Sequence, residues 1–264
     1  MNMISVTCRL LAVAIAGLTY SAPTLAEPPL ARVTTIYDAF GKPSALERGW
    51  GYSALVEYAG KRILFDTGGQ YQLFANNVKA LGIDLTHLDF VVLSHRHGDH
   101  TAGLAYVLQQ NPTVKIYAPQ ELGSFGTPAK ATTGTGIAIA RKVENVPADL
   151  HYFGGKYSDI YPIDSPWPAA NITLIDKPVE VMPGFYLFKT VSDNKNTLEL
   201  NELTLAINTP KGLAVMVGCS HPGIEKILEV ATSINPQVYT ILGPLCRFVW
   251  NLTSGTIAAT AVSH

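Results

Sequence analysis

An α+β domain is predicted by three observations. Short apolar, β-rich runs recur from residue 34 to residue 242, several of them separated by stretches of helical spacing. No internal repeat, long charge run or Gly/Ser linker divides the chain. Its 264 residues are enough for one large domain with a full core.

The elements follow in order. Residues 34–40 read as a first strand. Residues 51–58 and 61–66 are apolar and β-rich and join at Ala59-Gly60, which predicts a hairpin. Leu73, Phe74, Val78 and Leu81 fall at helical spacing, which predicts a helix over 71–81 ending at Gly82. Phe90-Val91-Val92-Leu93 is a continuous apolar run and reads as a buried strand. A helix is expected from Thr101 to about Gln110, then a short strand at 115–118. Residues 172–175, 179–181, 185–190, 202–209 and 213–219 read as further strands. Residues 222–234 read as a helix with a proline near its start, and 238–242 as a last buried strand.

Residues 119–170 stand apart. They are rich in Gly, Pro, Thr and Tyr and too long for an ordinary connection. A lid over a binding site and a surface insertion account for them equally well.

The N-terminus has the pattern of an export signal. Arg9 is the only charge before Glu27, an apolar stretch follows it, and Thr24-Leu25-Ala26 suits cleavage after Ala26. The stretch is too short for a membrane span and is broken by Thr19, Ser21 and Pro23. A signal peptide over 1–26, a single domain over 27–264, and a periplasmic or secreted location are expected, with no stable membrane insertion after cleavage. Removing 1–26 takes the formal charge from −1 to −2. Such a balance gives no basic footprint for nucleic acid.

Chemistry concentrates in Ser94-His95-Arg96-His97-Gly98-Asp99-His100. Three of the seven histidines lie in this loop between a strand and a helix. Zinc takes imidazole nitrogen and carboxylate oxygen, and a catalytic zinc keeps one position for water. In an extended segment side chains two apart point the same way. His95, His97 and Asp99 then converge, and His100 joins them only if the chain turns into the helix. The spacing supports two adjacent metal positions, one served by His95 and His97, the other by Asp99 and His100. The implied cofactor is Zn(2+), two per chain. Water activated between the ions would attack a small-molecule substrate, with Asp99 orienting it and taking its proton. His87, before the buried strand, reads as structural, and nothing ties His151 to the site.

The loop resembles the metal-binding signature of the metallo-beta-lactamase superfamily. Leu64-Phe65-Asp66-Thr67-Gly68-Gly69 upstream and Val217-Gly218-Cys219-Ser220-His221-Pro222-Gly223-Ile224 downstream fit the same family. The Gly-Cys-Ser-His-Pro-Gly form is similar to proteins related to the dihydropterin ribofuranosylaminobenzene phosphate synthases. The resemblance covers roughly residues 32–245 and implies a four-layer αββα sandwich. It also implies that Asp66 sits behind the metals and holds ligand histidines by hydrogen bonds. His221, after an apolar strand, is taken as a further ligand. Cys219 is a thiolate ligand or a small buried residue supporting the site, the second being preferred over the first and over a disulfide with Cys246.

The C-terminus departs from the related branch. Cys246 stands where that branch carries a histidine, and 247–264 show no charged residue after Arg247 other than His264. Three accounts stay open: a frameshift or truncation near residue 244, Cys246 as a thiolate ligand, or His264 reaching a metal. The first is preferred. The leading functional expectation is a secreted zinc-dependent hydrolase of an ester, lactone, amide or phosphoester. The alternatives are a pterin-linked synthase or transferase, a truncated or non-catalytic metal-binding protein, and a beta-lactamase.

Overall fold

The computed structural model describes residues 31–39, 45–121, 169–194 and 197–244. The segment expected to be a signal peptide, His151, Cys246, His264 and residues 122–168 of the expected insertion lie outside the described residues. Among the described residues, no helix is long and apolar enough to cross a membrane.

Strands β1 (Ala31–Tyr37), β2 (Ser53–Tyr58), β3 (Lys61–Phe65), β4 (Phe90–Val92), β5 (Ile116–Pro119) and β6 (Ile172–Ile175) form one sheet in that order. The first three pair antiparallel and the rest parallel. The second sheet has the order β11-β10-β9-β8-β7. Its members are β7 (Val179–Met182), β8 (Phe185–Val191), β9 (Asn201–Thr209), β10 (Gly212–Met216) and β11 (Val238–Leu242). Helices α1 (Tyr71–Ala80), α2 (Gly98–Thr101), α3 (Leu104–Gln110) and α4 (Ile224–Ile234) complete the described chain.

Alternation along the strands builds the layers. In β3, Ile63 and Phe65 face the core between the sheets, whereas Leu64 faces the core under α1 and α3. The next strand repeats this: Phe90 and Val92 point one way, Val91 and Leu93 the other. On the second sheet Met216 joins the inter-sheet core, while Leu213, Val215 and Val217 pack on Ile224, Ile227 and Ala231 of α4. Three stacked cores make four layers, αββα, as expected. Both faces of β3, β4 and β10 are thus covered, which explains their nearly unbroken apolar runs.

Local signals account for most boundaries. The expected hairpin closes at Ala59 (φ 51°) and Gly60 (φ 74°), with Tyr58 paired to Lys61. The helix expected from Thr101 is instead two pieces, α2 and α3, separated at Ala102-Gly103. A Cβ on Gly103 would lie 2.2 Å from the Thr67 carbonyl, so the chain bends where it crosses the loop after β3. The expected 222–234 helix starts at Ile224, because Gly223 has φ 93°. The chain segments after β3, β4 and β10, and the start of β9, meet at one end of the sandwich.

Candidate metal centre

Asp66 follows β3 in a left-handed conformation (φ 57°) and is fully buried. Its Oδ1 accepts from the Ser94 backbone N–H at 2.7 Å. Its Oδ2 accepts from the Ser94 hydroxyl at 2.7 Å and faces His100 Nδ1 at 2.6 Å. An ionised carboxylate only accepts, so Nδ1 of His100 carries the proton and Nε2 of the neutral ring keeps the lone pair. The Ser94 proton is spent on Asp66. Its oxygen therefore accepts from His95 Nδ1, 2.8 Å away, which leaves the lone pair of His95 on Nε2. One carboxylate thus sets the tautomer of two histidines.

The ring nitrogens turned away from Asp66 and Ser94 then converge. His95 Nε2 lies 3.0 Å from His97 Nδ1. The rings of His95 and His97 each have their centroids 4.9 Å from that of His221. His221 Nε2 is buried and has no hydrogen-bond partner among the described residues. The ligand atoms of His95, His97 and His221 all lie within 4.8 Å of one another, and so do those of His95, His100 and Cys219. Nitrogens bound tetrahedrally to one zinc stand about 3.3 Å apart, so these separations suit a shared ion. The buried Nε2 of His221, unpartnered among the described residues, is the direct test of fit: in the tautomer protonated at Nδ1 it offers a lone pair that a cation would take.

The chain does turn into a helix at Gly98, and that turn carries His100 inward. His100 faces Asp66 with one nitrogen and Cys219 Sγ with the other, at 3.1 Å. Asp99 stays at the edge, with Oδ2 3.7 Å from His100 Nε2, and belongs to neither three-member group. The structure therefore places His95 in both groups and sets Cys219 beside His100, a different partition from the pairing expected from period two. Cys219 is nearly buried among imidazoles. His87 lies in the loop before β4 and pairs with Asp84 at 2.6 Å.

Electrostatics favour neutral rings. Burial, then the neighbouring imidazoles, hold His95 well below the usual range. Burial, then His221, takes His97 down to about 3. Burial takes His221 down to about 4. His100 goes the other way: burial lowers it, but the charge and hydrogen bond of Asp66 outweigh that and raise it. Burial pushes Glu202 up to about 7 against two backbone N–H donors.

These shifts fix a pH response. Groups held below an ordinary histidine bind fewer protons folded than unfolded, so stability rises with pH across that window. Glu202 opposes this between its ordinary value and about 7, and the raised His100 opposes it chiefly above the ordinary histidine value, so over the acid side three depressed groups stand against Glu202. With metal removed by chelator, the thermal midpoint is expected to fall as pH drops from about 6.5 to about 4.5. A midpoint that is flat or rises over that interval would contradict the neutral, buried imidazole cluster.

Three participants carried no readable signal in the sequence. Ser94 is an ordinary residue at a strand end until its hydroxyl is seen between Asp66 and His95. Glu202 is a single carboxylate at the start of β9, fully buried. Arg96, between two candidate ligands, pairs with buried Glu121, whose Oε1 also accepts from the Asn201 N–H at 3.1 Å. That pair ties the ligand loop to the end of β5 and the start of β9. A charged residue inside an apolar run is the only hint the sequence offers for Glu202.

Known proteins show the same arrangement of chain. A family model described as the metallo-beta-lactamase superfamily matches residues 48–186. The chain is 28% identical over 236 residues to 7,8-dihydropterin-6-methyl-4-(beta-D-ribofuranosyl)-aminobenzene-5'-phosphate synthase of Methanocaldococcus jannaschii, covering 78% of this chain and 73% of that protein. It is 26% identical over 199 residues to an uncharacterised protein of the same organism, covering 73% and 71%. A solved metal-dependent hydrolase of the beta-lactamase superfamily superposes with a TM-score of 0.55 at 24% identity, covering 81% of this chain and 76% of that one, a likeness of fold.

Proposed function

Because the chain belongs to the metallo-beta-lactamase superfamily, we propose that it is an exported zinc-dependent hydrolase of a small-molecule ester, lactone, amide or phosphoester. The observation that carries this reading is the buried, partnerless Nε2 of His221 converging with His95 and His97. His95, His97 and His221 would hold one ion, and His100 and Cys219, with Asp99 at the edge, a second. Zinc suits this nitrogen and sulfur donor set. Export rests on the pattern of residues 1–26.

A bound divalent ion supplies Lewis acidity and a water acidic enough to react at neutral pH. The chain supplies the rest. Asp66 and Ser94 hold His95 and His100 in the tautomers that leave Nε2 lone pairs facing the centre. The depressed His97 and His221 stay unprotonated at neutral pH and so remain donors. Asp99, about one-fifth exposed at the start of α2, is the carboxylate placed to orient an attacking water and accept its proton.

Elemental analysis of the purified protein, followed by assays on chromogenic esters, lactones and phosphodiesters, tests this. Zinc in the protein and turnover lost on chelation are expected. A folded protein that takes up no zinc would overturn the reading. Similarity to the methanogen synthase favours a second one, in which the same centre serves a pterin-linked synthase or transferase. Joining of a ribofuranosylaminobenzene phosphate to a dihydropterin that carries a leaving group on its 6-methylene, with release of that group and a proton and with no hydrolysis of the simple substrates, would select it.

A further inference from the structure

A second buried carboxylate is left unused by the chemistry above. Glu202 opens β9 and is completely buried. Its Oε1 accepts from the Ser220 N–H at 2.8 Å, and its Oε2 from the His221 N–H at 2.8 Å. Ser220 has φ 57°, a conformation that costs a serine energy and persists only where neighbours hold it. The carboxylate is one such neighbour.

Glu202 also stands at a junction. The next residue, Leu203, donates its N–H to the Ser94 carbonyl at 2.7 Å. Gly218 passes so near that a Cβ there would lie 2.4 Å from Ser94 Oγ and 3.0 Å from Glu202 Oε1. The start of β9 therefore grips both ligand loops: 94–100 through its backbone, 219–221 through its carboxylate. On its far side the His221 carbonyl accepts from Ser192 Oγ at 2.9 Å and from Asn194 Nδ2. The backbone of His221 is clamped at both N–H and C=O, while its ring Nε2 has no hydrogen-bond partner among the described residues.

We propose that Glu202 is a positioning residue for the metal centre. By accepting from two consecutive backbone N–H groups it sets where His221 Nε2 stands relative to His95 and His97, and so sets how tightly that trio holds an ion. The proposal rests on reading the trio as a metal site. Glutamine in place of Glu202 keeps the shape but turns an NH2 donor onto one of the N–H donors. That loses an acceptor and sets two donors face to face. Aspartate keeps both oxygens but withdraws them by about 1.5 Å, one bond length.

The test compares wild type with Glu202→Gln, Glu202→Asp and a control, Leu205→Ala. Leu205 is fully buried in the inter-sheet core on the same strand. Zinc affinity is measured by competition with a chromophoric chelator, the visible spectrum of the cobalt-loaded protein is recorded, and each melt is followed. Glu202→Gln is expected to weaken zinc binding by about 10- to 100-fold and to alter the cobalt bands, as loss of a supporting hydrogen bond does at metal centres. Glu202→Asp is expected to fall between, and it serves alone if the glutamine variant does not fold. Leu205→Ala is expected to lower the melting temperature with zinc affinity within about twofold of wild type, because cavity formation acts on the fold. Glu202 variants with wild-type zinc affinity and cobalt spectrum would overturn the proposal and leave the metal reading standing. A wild-type protein that binds neither zinc nor cobalt would overturn both.

Discussion

Asp66→Ala is expected to destabilise the protein by about 3–5 kcal/mol and to abolish high-affinity metal binding. The carboxylate is fully buried and accepts three hydrogen bonds, from the Ser94 N–H, the Ser94 hydroxyl and His100 Nδ1. Alanine takes the partner from the Ser94 N–H and from His100 Nδ1 inside the protein, where each unmet group costs about 1–3 kcal/mol. It also puts an ordinary residue at φ 57°, a conformation aspartate tolerates better. The loss reaches the metal because the two tautomers are set here. Without Asp66, the Ser94 hydroxyl is free to donate to His95 Nδ1, which moves the His95 proton to Nε2, the nitrogen that must bind. Asp66→Asn separates the two effects. It fills the same space and keeps one acceptor, so its stability loss is expected to be smaller, while its NH2 opposes one donor and still disturbs a tautomer. Urea unfolding and zinc titration of both variants check this. An asparagine variant with wild-type zinc affinity would sink the tautomer account.

The layers were legible because burial on both faces writes itself into strands as unbroken apolar runs, and β3, β4 and β10 carry such runs. The hairpin was legible because Ala59-Gly60 sits between two of them. The break between α2 and α3 was not, since it is imposed by the Thr67 carbonyl against Gly103, a contact across more than thirty residues. The same limit applied at the site. Histidines crowded into one loop announce a metal, but period two alone does not bring His100 inward, because the chain leaves extended geometry at Gly98. Cys219 and Glu202 meet His100 and His221 only through the fold: the cysteine is 119 residues from His100, and the glutamate 19 from His221. Neither separation has a periodic signature.

Replacing His95 with alanine is expected to remove the whole metal content, whereas His97→Ala is expected to remove part of it, leaving about one ion per chain. The two residues lie two positions apart on the same loop and offer the same chemical group. They differ in membership. His95 belongs to both three-member groups, whereas His97 belongs only to the one completed by His221. His95 is also the residue whose Nδ1 reaches Ser94 and, through it, Asp66. Its Nε2 has one lone pair and serves one ion; removing it strips that ion of a donor and also frees the Ser94 hydroxyl to shift its bond to Asp66, the carboxylate that orients His100 for the other ion. His97→Ala leaves His95, His100 and Cys219 in place, with the Asp66 hydrogen bonds unaltered. Zinc per chain, measured after equilibration in metal-buffered solution, checks the contrast. Equal losses from the two variants would mean that the Ser94–Asp66 link carries no loss from one metal position to the other.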